Sequence, residues 1–413
     1  MHKKLKLLSI CLSVALVAGF LIYALAGALT FPDNLILLED QRADFGKLYS
    51  MDIAPADRTG ALSNGAILDN RLNLQAGKYE GTVKMFGMLD FKTVQVDVIK
   101  NKKLVPCGNS IGVKLFTDGL LVVGITDFED ETGKTVSPAK KSGVKVGDLI
   151  KEVNGVPVKN VAQFTEIVEN AGSKDIFMKL LRDGQDISCG MQAVKTKPDG
   201  TYKLGMWVRD STAGIGTLTF YDPEDKVFGA LGHGISDVDT GELMPAAEGS
   251  ILGANIISVK KGEKGVPGEL QGVFLGSNTT IGSLKSNTKY GIYGEVLSDK
   301  DILGEALPIA LKEDVKEGPA YILSNVEGQK VQKFDVEIQK VMEQNERSTK
   351  GMIVKITDPS LLDKTGGIVQ GMSGSPILQD GKLIGAVTHV FVNDPERGYG
   401  IFIETMLKNA YQP

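Results

Sequence analysis

Short runs of alternating apolar and polar residues fill most of the C-terminal half of the chain, and this pattern indicates β-strands rather than long helices. Turn-forming Gly, Pro and Asn residues separate the runs, and regularly spaced short strands are typical of β-sandwiches and β-barrels. The strand candidates are residues 218–221, 227–231, 251–257, 273–275, 334–341, 352–356 and 383–392. The pattern therefore predicts a mainly β protein.

The N-terminus differs from the rest because residues 7–29 form 23 nearly uninterrupted apolar positions after Lys3, Lys4 and Lys6. Such a run is long enough to span a bilayer, whereas the apolar core of a cleaved signal peptide is usually shorter. Small-residue motifs at its end leave cleavage open. Lysines before the run favour an N-terminus inside the cytoplasm. Residues 1–30 are thus predicted to be a signal or membrane anchor, and the remainder is expected to be exported.

The next part of the chain shows little regular pattern. Residues 31–80 are polar and mixed, which predicts a linker with one short helix near residues 40–49. Alternation then appears in residues 82–99 on both sides of Gly87, and it predicts a small β segment over residues 81–103.

Residues 104–187 carry the first recognisable module. From Val144 the sequence reads Val-Lys-Val-Gly-Asp-Leu-Ile-Lys-Glu-Val-Asn-Gly-Val-Pro-Val, in which Asn-Gly is a strong hairpin signal. Residues 161–171 then form an amphipathic helix pattern. Together these stretches resemble a PDZ domain, and the strand that begins at Ser110 resembles its carboxylate-binding loop.

A PDZ fold predicts a peptide-binding groove. Peptides add to such domains as an extra strand, and backbone N–H groups near Ile111, Gly112 and Val113 would hold the C-terminal carboxylate. The loop is Ser-Ile-Gly-Val rather than the commoner Gly-Leu-Gly-Phe type. The alternative is a β-rich domain that only packs against its neighbour.

Composition and charge exclude several classes of function. The formal net charge is −5 and the pI is about 5.5, so no global basic field exists to hold a nucleic acid. With 3 cysteines and 3 histidines the chain has neither a disulfide framework nor a zinc motif, although one Cys107–Cys189 bridge stays open. We expect no metal and no cofactor. Glycine is frequent, at 49 of 413 residues, as expected for many tight turns.

The strongest chemical signal is Gly371-Met-Ser-Gly-Ser-Pro376, which has the form of the Gly-Asp-Ser-Gly-Gly-Pro loop of chymotrypsin-like serine proteases. In such a loop the glycine before the nucleophile lets two backbone N–H groups, here those of Gly371 and Ser373, form an oxyanion hole. An α/β-hydrolase elbow is disfavoured because it needs Gly-x-Ser-x-Gly, and the fifth residue here is Ser375.

A nucleophilic serine needs a base, and two histidines compete for that role. His233 lies between two glycines at the end of an apolar strand, which suits a catalytic position. His389 follows Ser373 closely and has apolar neighbours, which favours a packing or subsite role. An acid should orient the base, and spacing alone does not choose between Asp358 and Asp363.

Three motifs, the serine loop among them, resemble those of one peptidase family. Gly-His-Gly-Ile-Ser-Asp from Gly232, the serine loop with its preceding Thr357-Asp-Pro, and Gly-Ala-Val-Thr-His-Val-Phe-Val-Asn-Asp-Pro from Gly385 resemble the stage IV sporulation protein B peptidase family over about residues 80–405. The resemblance implies Ser373 as nucleophile, His233 as base and Asp358 as orienting acid.

That family consists of PDZ-containing signalling serine peptidases of endospore formers. The resemblance implies export across the forespore membrane, with the protein anchored or released into the intermembrane space. It also implies regulatory cleavage of the protein itself and of a membrane-associated regulator of an intramembrane protease, leading to activation of a late sigma factor. The expected partners are this protein substrate, a PDZ peptide ligand and the membrane, and no nucleic acid.

The predicted architecture is thus a PDZ domain followed by a Gly-rich, chymotrypsin-like β-barrel peptidase domain over residues 190–413. Two alternatives remain open. One is a non-catalytic PDZ scaffold whose barrel only docks a partner. The other is a housekeeping protease of the high-temperature-requirement type, although such proteins usually place the PDZ domain after the protease.

Overall fold

A computed structural model describes residues 33–39, 49–55, 74–85, 87–197, 199–276, 279–300, 302, 304–342 and 348–411, with a few single positions between 14 and 26. The predicted membrane segment lies almost entirely outside these residues, as does the predicted helix at 40–49. Among the described residues, no helix is both long and apolar enough to cross a bilayer. The chain divides into two compact units, Met1–Lys102 with Glu343–Arg347, and Lys103–Met342 with Ser348–Pro413.

The first unit contains a four-stranded sheet with the order β1-β4-β3-β2. Its strands are β1 Asn34–Leu38, β2 Tyr49–Pro55, β3 Gly77–Met85 and β4 Leu89–Ile99. Val83, Val94 and Val96 form the centre of its core. The predicted linker over residues 31–80 is therefore wrong in part, because β1, β2 and the start of β3 lie within it. β1 and β2 are short edge strands that are ordered by pairing with β4 and β3, so they show no sustained alternation of their own.

The second unit contains the remaining elements. Its first half comprises β5 Lys103–Pro106, β6 Ser110–Ile125, β7 Phe128–Glu129, β8 Thr135–Val136, α1 Pro138–Lys141, β9 Leu149–Val153, β10 Val156–Pro157, α2 Val161–Ala171, β11 Asp175–Arg182, β12 Gln185–Gln192, β13 Val194–Lys195 and β14 Tyr202–Lys203.

The second half begins with a long strand that returns from this region. It comprises β15 Met206–Asp222, β16 Val227–Ala230, β17 Ala246–Lys260, β18 Glu269–Phe274, β19 Thr280–Thr288, β20 Gly291–Val296, β21 Leu307–Pro308, a 3-10 turn Lys312–Asp314, β22 Gly318–Ser324, β23 Gln332–Val341, β24 Met352–Ile356, α3 Pro359–Thr365, β25 Pro376–Gln379, β26 Lys382–Phe391, β27 Asp394–Phe402 and α4 Ile403–Tyr411. Every strand that the sequence predicted after residue 210 overlaps one of these strands.

Two closed six-stranded barrels dominate the unit. The first is the ring β6-β17-β19-β20-β16-β15, closed by the pairing of β15 with β6, and the second is β22-β23-β24-β27-β26-β25. Alternate residues of each strand point inwards: Ile111, Val113 and Leu115 of β6 are all buried in the core of the first barrel. This pair of barrels is a chymotrypsin-like architecture, as predicted. Cys107, buried in the first barrel, and Cys189, on β12, are free thiols.

The predicted PDZ module is inserted into the first barrel. β6 and β15 have 16 and 17 residues, and they pair with each other in the barrel and again beyond it, where Leu121 lies opposite Arg209. In the chain, the elements from β7 to β14 come after the outer half of β6 and before the outer half of β15. They share a core around Phe164, Val168 and Ile176. The predicted start at residue 104 is thus wrong, because residues 110–116 already belong to the peptidase barrel. The predicted boundaries at 187 and 190 are wrong because the module continues through β14 and its core includes Leu204.

Candidate active site

The serine loop belongs to the second barrel but is held by a strand of the first. Thr217 of β15 donates its N–H to the Ser373 carbonyl at 3.1 Å and its hydroxyl to the Gly371 carbonyl at 2.7 Å. The hydroxyl of Thr219 donates to the Gly374 carbonyl at 2.8 Å. The loop between α3 and β25 therefore lies at the junction of the two barrels.

Glycines are required at two positions of this loop. Gly374 has φ +99°, and a Cβ there would lie 2.2 Å from the Thr217 carbonyl oxygen. Gly371 has φ +96°, a left-handed conformation that L side chains rarely adopt. The N–H groups of Met372 and Gly374 donate to carbonyls, whereas those of Gly371 and Ser373 donate to none in the described part of the chain. The two donors predicted for an oxyanion hole are thus unoccupied.

His233 follows a strained turn at the end of β16. Leu231 has φ +69°, and Gly232 donates its N–H back to the Ala230 carbonyl at 2.9 Å, which closes a three-residue turn. A non-glycine residue in this conformation costs about 1–3 kcal/mol, and such strain is frequent at functional sites. The turn directs His233 into a cavity between the barrels.

This cavity of about 480 Å³ brings most of the predicted catalytic groups together. His233, Gly371 and Ser373 all line it, and so does His389 from β26. The rings of His233 and His389 are tilted by 40° with their centroids 5.0 Å apart. His389 therefore lies beside the predicted base in the same cavity, and its packing or subsite role stays a prediction.

The hydrogen bond of His233 defines its tautomer. Nδ1 lies 2.8 Å from the Gly234 carbonyl oxygen, which can only accept a hydrogen bond, so Nδ1 carries the hydrogen and Nε2 of the neutral ring keeps a lone pair. Burial lowers the pKa of His233 below its usual value. The pKa of His389 falls to about 4 because the ring is partly withdrawn from water and faces His233 and Lys350. Both imidazoles are thus neutral at neutral pH, and His233 is able to accept a proton.

The hydroxyl of Ser373 already donates a hydrogen bond to another acceptor. It donates to the Thr388 carbonyl at 2.6 Å, on the strand next to His389. The hydroxyl must therefore give up this hydrogen bond before its proton can reach Nε2 of His233.

Asp358 does not orient His233, and this prediction needs correction. The residue is the N-cap of α3, where its carboxylate accepts hydrogen bonds from the N–H groups of Ser360 at 2.9 Å and Leu361 at 3.1 Å. Although burial acts to raise the pKa of Asp358, these bonds hold it below its usual range. An Asp followed by Pro at the first helical position is a common way to begin a helix, and sequence spacing does not reveal that use.

Asp363, the other candidate acid, is also absent from the site. Its carboxylate is exposed and lies 3.7 Å from the Lys261 ammonium. In the part of the chain that the structure describes, no Asp or Glu lines the cavity around Ser373. The partner of His233 is thus a main-chain carbonyl.

The predicted PDZ groove at Ile111, Gly112 and Val113 is likewise contradicted. Both edges of this stretch are already paired inside the first barrel, with β15 on one side and β17 on the other. A Cβ at Gly112 would lie 2.4 Å from the Phe274 ring. Because strand addition needs an exposed edge, no peptide binds here in this way.

A free edge does exist in the inserted module. Residues 206–209 of β15 pair with β6 on one side only, and no described strand pairs with the other side. Helix α2 flanks this edge and is held near both of its ends. Val161, at its start, donates its N–H to the Asp210 carboxylate, and the Glu169 carboxylate, near its end, accepts the N–H of Tyr202. The sequence contained a signal for this edge, because Leu204-Gly205-Met206 repeats the apolar-Gly-apolar pattern of residues 111–113 at the other end of the module.

The sequence profile of the SpoIVB peptidase S55 family matches residues 200–407, half of the chain. The chain belongs to the SpoIVB peptidase S55 family. A PDZ-domain profile matches residues 130–182, inside the inserted module. The protein is therefore a serine peptidase with a PDZ domain, as the sequence predicted.

Several solved structures are similar to parts of this S55 peptidase. The PDZ domain of an SdrC-like protein from Listeria monocytogenes is 18% identical, with a TM-score of 0.18, over 22% of this chain and 87% of its own. The active form of the Rv3671c protease from M. tuberculosis is 14% identical, with a TM-score of 0.27, over 48% and 72% of the two chains. Human heparin binding protein is 10% identical, with a TM-score of 0.23, over 45% and 76%. All three TM-scores are below 0.5, and the fold is assigned from the strand pairings themselves.

Proposed function

We propose that this S55 peptidase is an endopeptidase that cleaves peptide bonds with Ser373 as nucleophile and His233 as base. The observation that supports this most is the single cavity lined by Ser373, His233 and the Gly371 loop. Nε2 of His233 takes the hydroxyl proton as Oγ attacks the scissile carbonyl, and the imidazolium then protonates the leaving amine. A water molecule then attacks the acyl carbonyl in the same way, with its proton taken by Nε2 of His233. The imidazolium returns that proton to Ser373 Oγ as the acyl group leaves.

The oxyanion of each tetrahedral intermediate would accept hydrogen bonds from the N–H groups of Gly371 and Ser373. Donors that are already in place and unoccupied stabilise developing charge without reorganisation, and one such donor is worth about 3–4 kcal/mol. The carbonyl of Gly234 holds Nδ1–H of His233, the part that a carboxylate plays in a Ser-His-Asp triad.

The PDZ domain would capture an extended peptide along the free edge of β15. This edge, flanked by helix α2, offers backbone N–H and carbonyl groups to an added strand. The ligand would be a segment of the protein substrate, so that the domain raises its concentration near Ser373.

The biological role that we propose is the one its family resemblance implies. The peptidase would cleave itself and a membrane-associated regulator of an intramembrane protease during spore formation, and thereby activate a late sigma factor. It would act outside the forespore membrane, anchored or released through the apolar residues 7–29, whose length and preceding lysines support export.

Self-cleavage gives a direct test. Purified Ser373→Ala protein serves as substrate, and active protein or buffer is added, with new termini located by mass spectrometry. We expect defined cuts only when active protein is present. An unfolded, unrelated protein serves as control and should stay intact, because broad degradation would favour a housekeeping protease. Absence of any cut would favour a non-catalytic scaffold.

A further inference from the structure

Among the described residues that line the cavity around Ser373, none has a side chain with a formal charge. Its polar groups are hydroxyls, one amide and the two neutral imidazoles, in a chain of which 23% of residues are charged. The rest of the lining is apolar, with Ile215, Leu231, Ile235, Ile368, Val369 and Val390 among its members.

The apolar residues lie next to the reacting groups in the chain. Ile368 and Val369 lead directly into the oxyanion loop at Gly371, and Val390 follows Thr388, whose carbonyl holds the Ser373 hydroxyl. A substrate carbonyl attacked by Ser373 would lie between these two segments. The side chain on the acyl side of the scissile bond (the P1 residue) would therefore lie against these segments, where the half-buried Val390 offers side-chain surface.

A charged P1 side chain would find no charged partner among the described residues that line the cavity. Ile368 and Val369 are only 2% and 1% exposed because their side chains belong to the core of the second barrel. Removing a charge from water without a compensating partner is costly, whereas an apolar side chain gains free energy from burial. Among the described residues that line the cavity, none is acidic to hold lysine or arginine and none is basic to hold aspartate or glutamate.

We infer that this peptidase selects an uncharged, apolar P1 residue, with Val390 as part of the wall that P1 contacts. The inference rests on the proposed function of Ser373, because it assigns a substrate to that site.

Two matched sets of peptides test the selectivity of the full chain. Each set differs only at P1: norleucine against lysine, which have chains of similar length, and leucine against asparagine and aspartate, which have similar volumes. We expect kcat/KM to be at least about tenfold higher for the norleucine peptide than for the lysine peptide, and for the leucine peptide than for the aspartate peptide. Equal cleavage of the lysine or aspartate peptide would overturn the inference.

One residue tests the position of the wall. Val390 is only half-buried, so a carboxylate there stays partly hydrated, and Val390→Asp should raise the lysine-to-norleucine ratio of kcat/KM at least about tenfold. Val390→Asn is the matched control and should leave the ratio near that of the unaltered protein. An unchanged ratio in folded Val390→Asp protein would contradict this wall, and the peptide sets decide the selectivity even if the variant fails to fold.

Failure of this inference is distinguishable from failure of the proposed function. A small fluorophosphonate reacts with an activated serine whatever the P1 preference. No adduct on Ser373 together with no cleavage of any peptide would reject the proposed function. An adduct on Ser373 with equal cleavage of charged and apolar peptides would reject only the selectivity.

Discussion

At the scale of single residues, the environment of His233 sets the chemistry. A carboxylate beside Nδ1 would raise the pKa of the imidazole, because a negative charge favours the protonated form. The Gly234 carbonyl carries no formal charge, and burial lowers the pKa of His233 below 6.5. The base should therefore stay neutral, and hence active, to a lower pH than an imidazole paired with a carboxylate.

The pH dependence of kcat/KM tests this environment. Protonated His233 cannot accept the proton of Ser373, so activity should fall as the pH drops through the pKa of the free enzyme's base. Because that pKa is lowered, we expect the acid limb to have its midpoint below 6.5. Kinetics on one uncharged peptide, with thermal melts at each pH to exclude unfolding, give the midpoint. A midpoint above 7 would indicate a carboxylate partner.

Asp358 provides a second test at this scale. Asparagine is an equally good N-cap, whereas alanine is not, and losing such a cap costs about 1 kcal/mol. We expect the Asp358→Asn protein to keep the melting temperature of the unaltered protein and a kcat within a few-fold of its value. We expect the Asp358→Ala protein to lose stability. Asp363→Asn, at an exposed carboxylate, is the control.

The triad prediction gives a different result for the same variant. An Asn in place of the orienting acid costs about 10⁴ in kcat because the amide favours the wrong imidazole tautomer. Such a loss in Asp358→Asn protein with an unchanged melting temperature would restore Asp358 as the acid that orients His233.

At the scale of elements, strand edges decide where a peptide is able to bind. An apolar-Gly-apolar triplet occurs at both ends of the PDZ module, and the sequence alone does not tell which one keeps a free edge. That depends on long-range pairing, since β17 covers Ile111, Gly112 and Val113. The strands themselves were predictable because their alternation is local.

Hydrogen exchange of the full chain should locate the groove. Peptides with a free carboxylate, selected from a C-terminal display library, are added to Ser373→Ala protein to prevent cleavage. We expect slower exchange in residues 203–210 and in helix α2, and no change in residues 110–116, which are already paired. Protection of residues 110–116 on peptide addition would return the groove to Ile111, Gly112 and Val113.

At the scale of the whole molecule, the PDZ domain and the peptidase share two continuous strands. β6 and β15 each run from the first barrel into the inserted module. The chemical groups of the serine loop and of the Gly-His-Gly segment were recognisable from local sequence. The insertion was not recognisable from local sequence, because the barrel parts of β6 and β15 are almost 100 residues apart in the chain. The helix-capping role of Asp358 was not recognisable either.

Truncation tests this architecture. A fragment of residues 190–413, the peptidase domain that the sequence predicted, lacks β6 and would leave the first barrel open and its core exposed. We expect it to aggregate or to lack a cooperative melt. Residues 103–413 retain both barrels and the insertion and should fold, as judged by circular dichroism and thermal melting. A stable, active 190–413 fragment would contradict the shared-strand arrangement.

The central claim is that Ser373 is a nucleophile activated by His233, and covalent labelling tests it most directly. The full chain is treated with a fluorophosphonate, and the adduct is located by mass spectrometry. The account predicts one adduct on Ser373 that is absent in Ser373→Ala, much slower in His233→Ala and retained in Asp358→Asn protein. An adduct on another serine, or labelling of Ser373 that does not depend on His233, would contradict it.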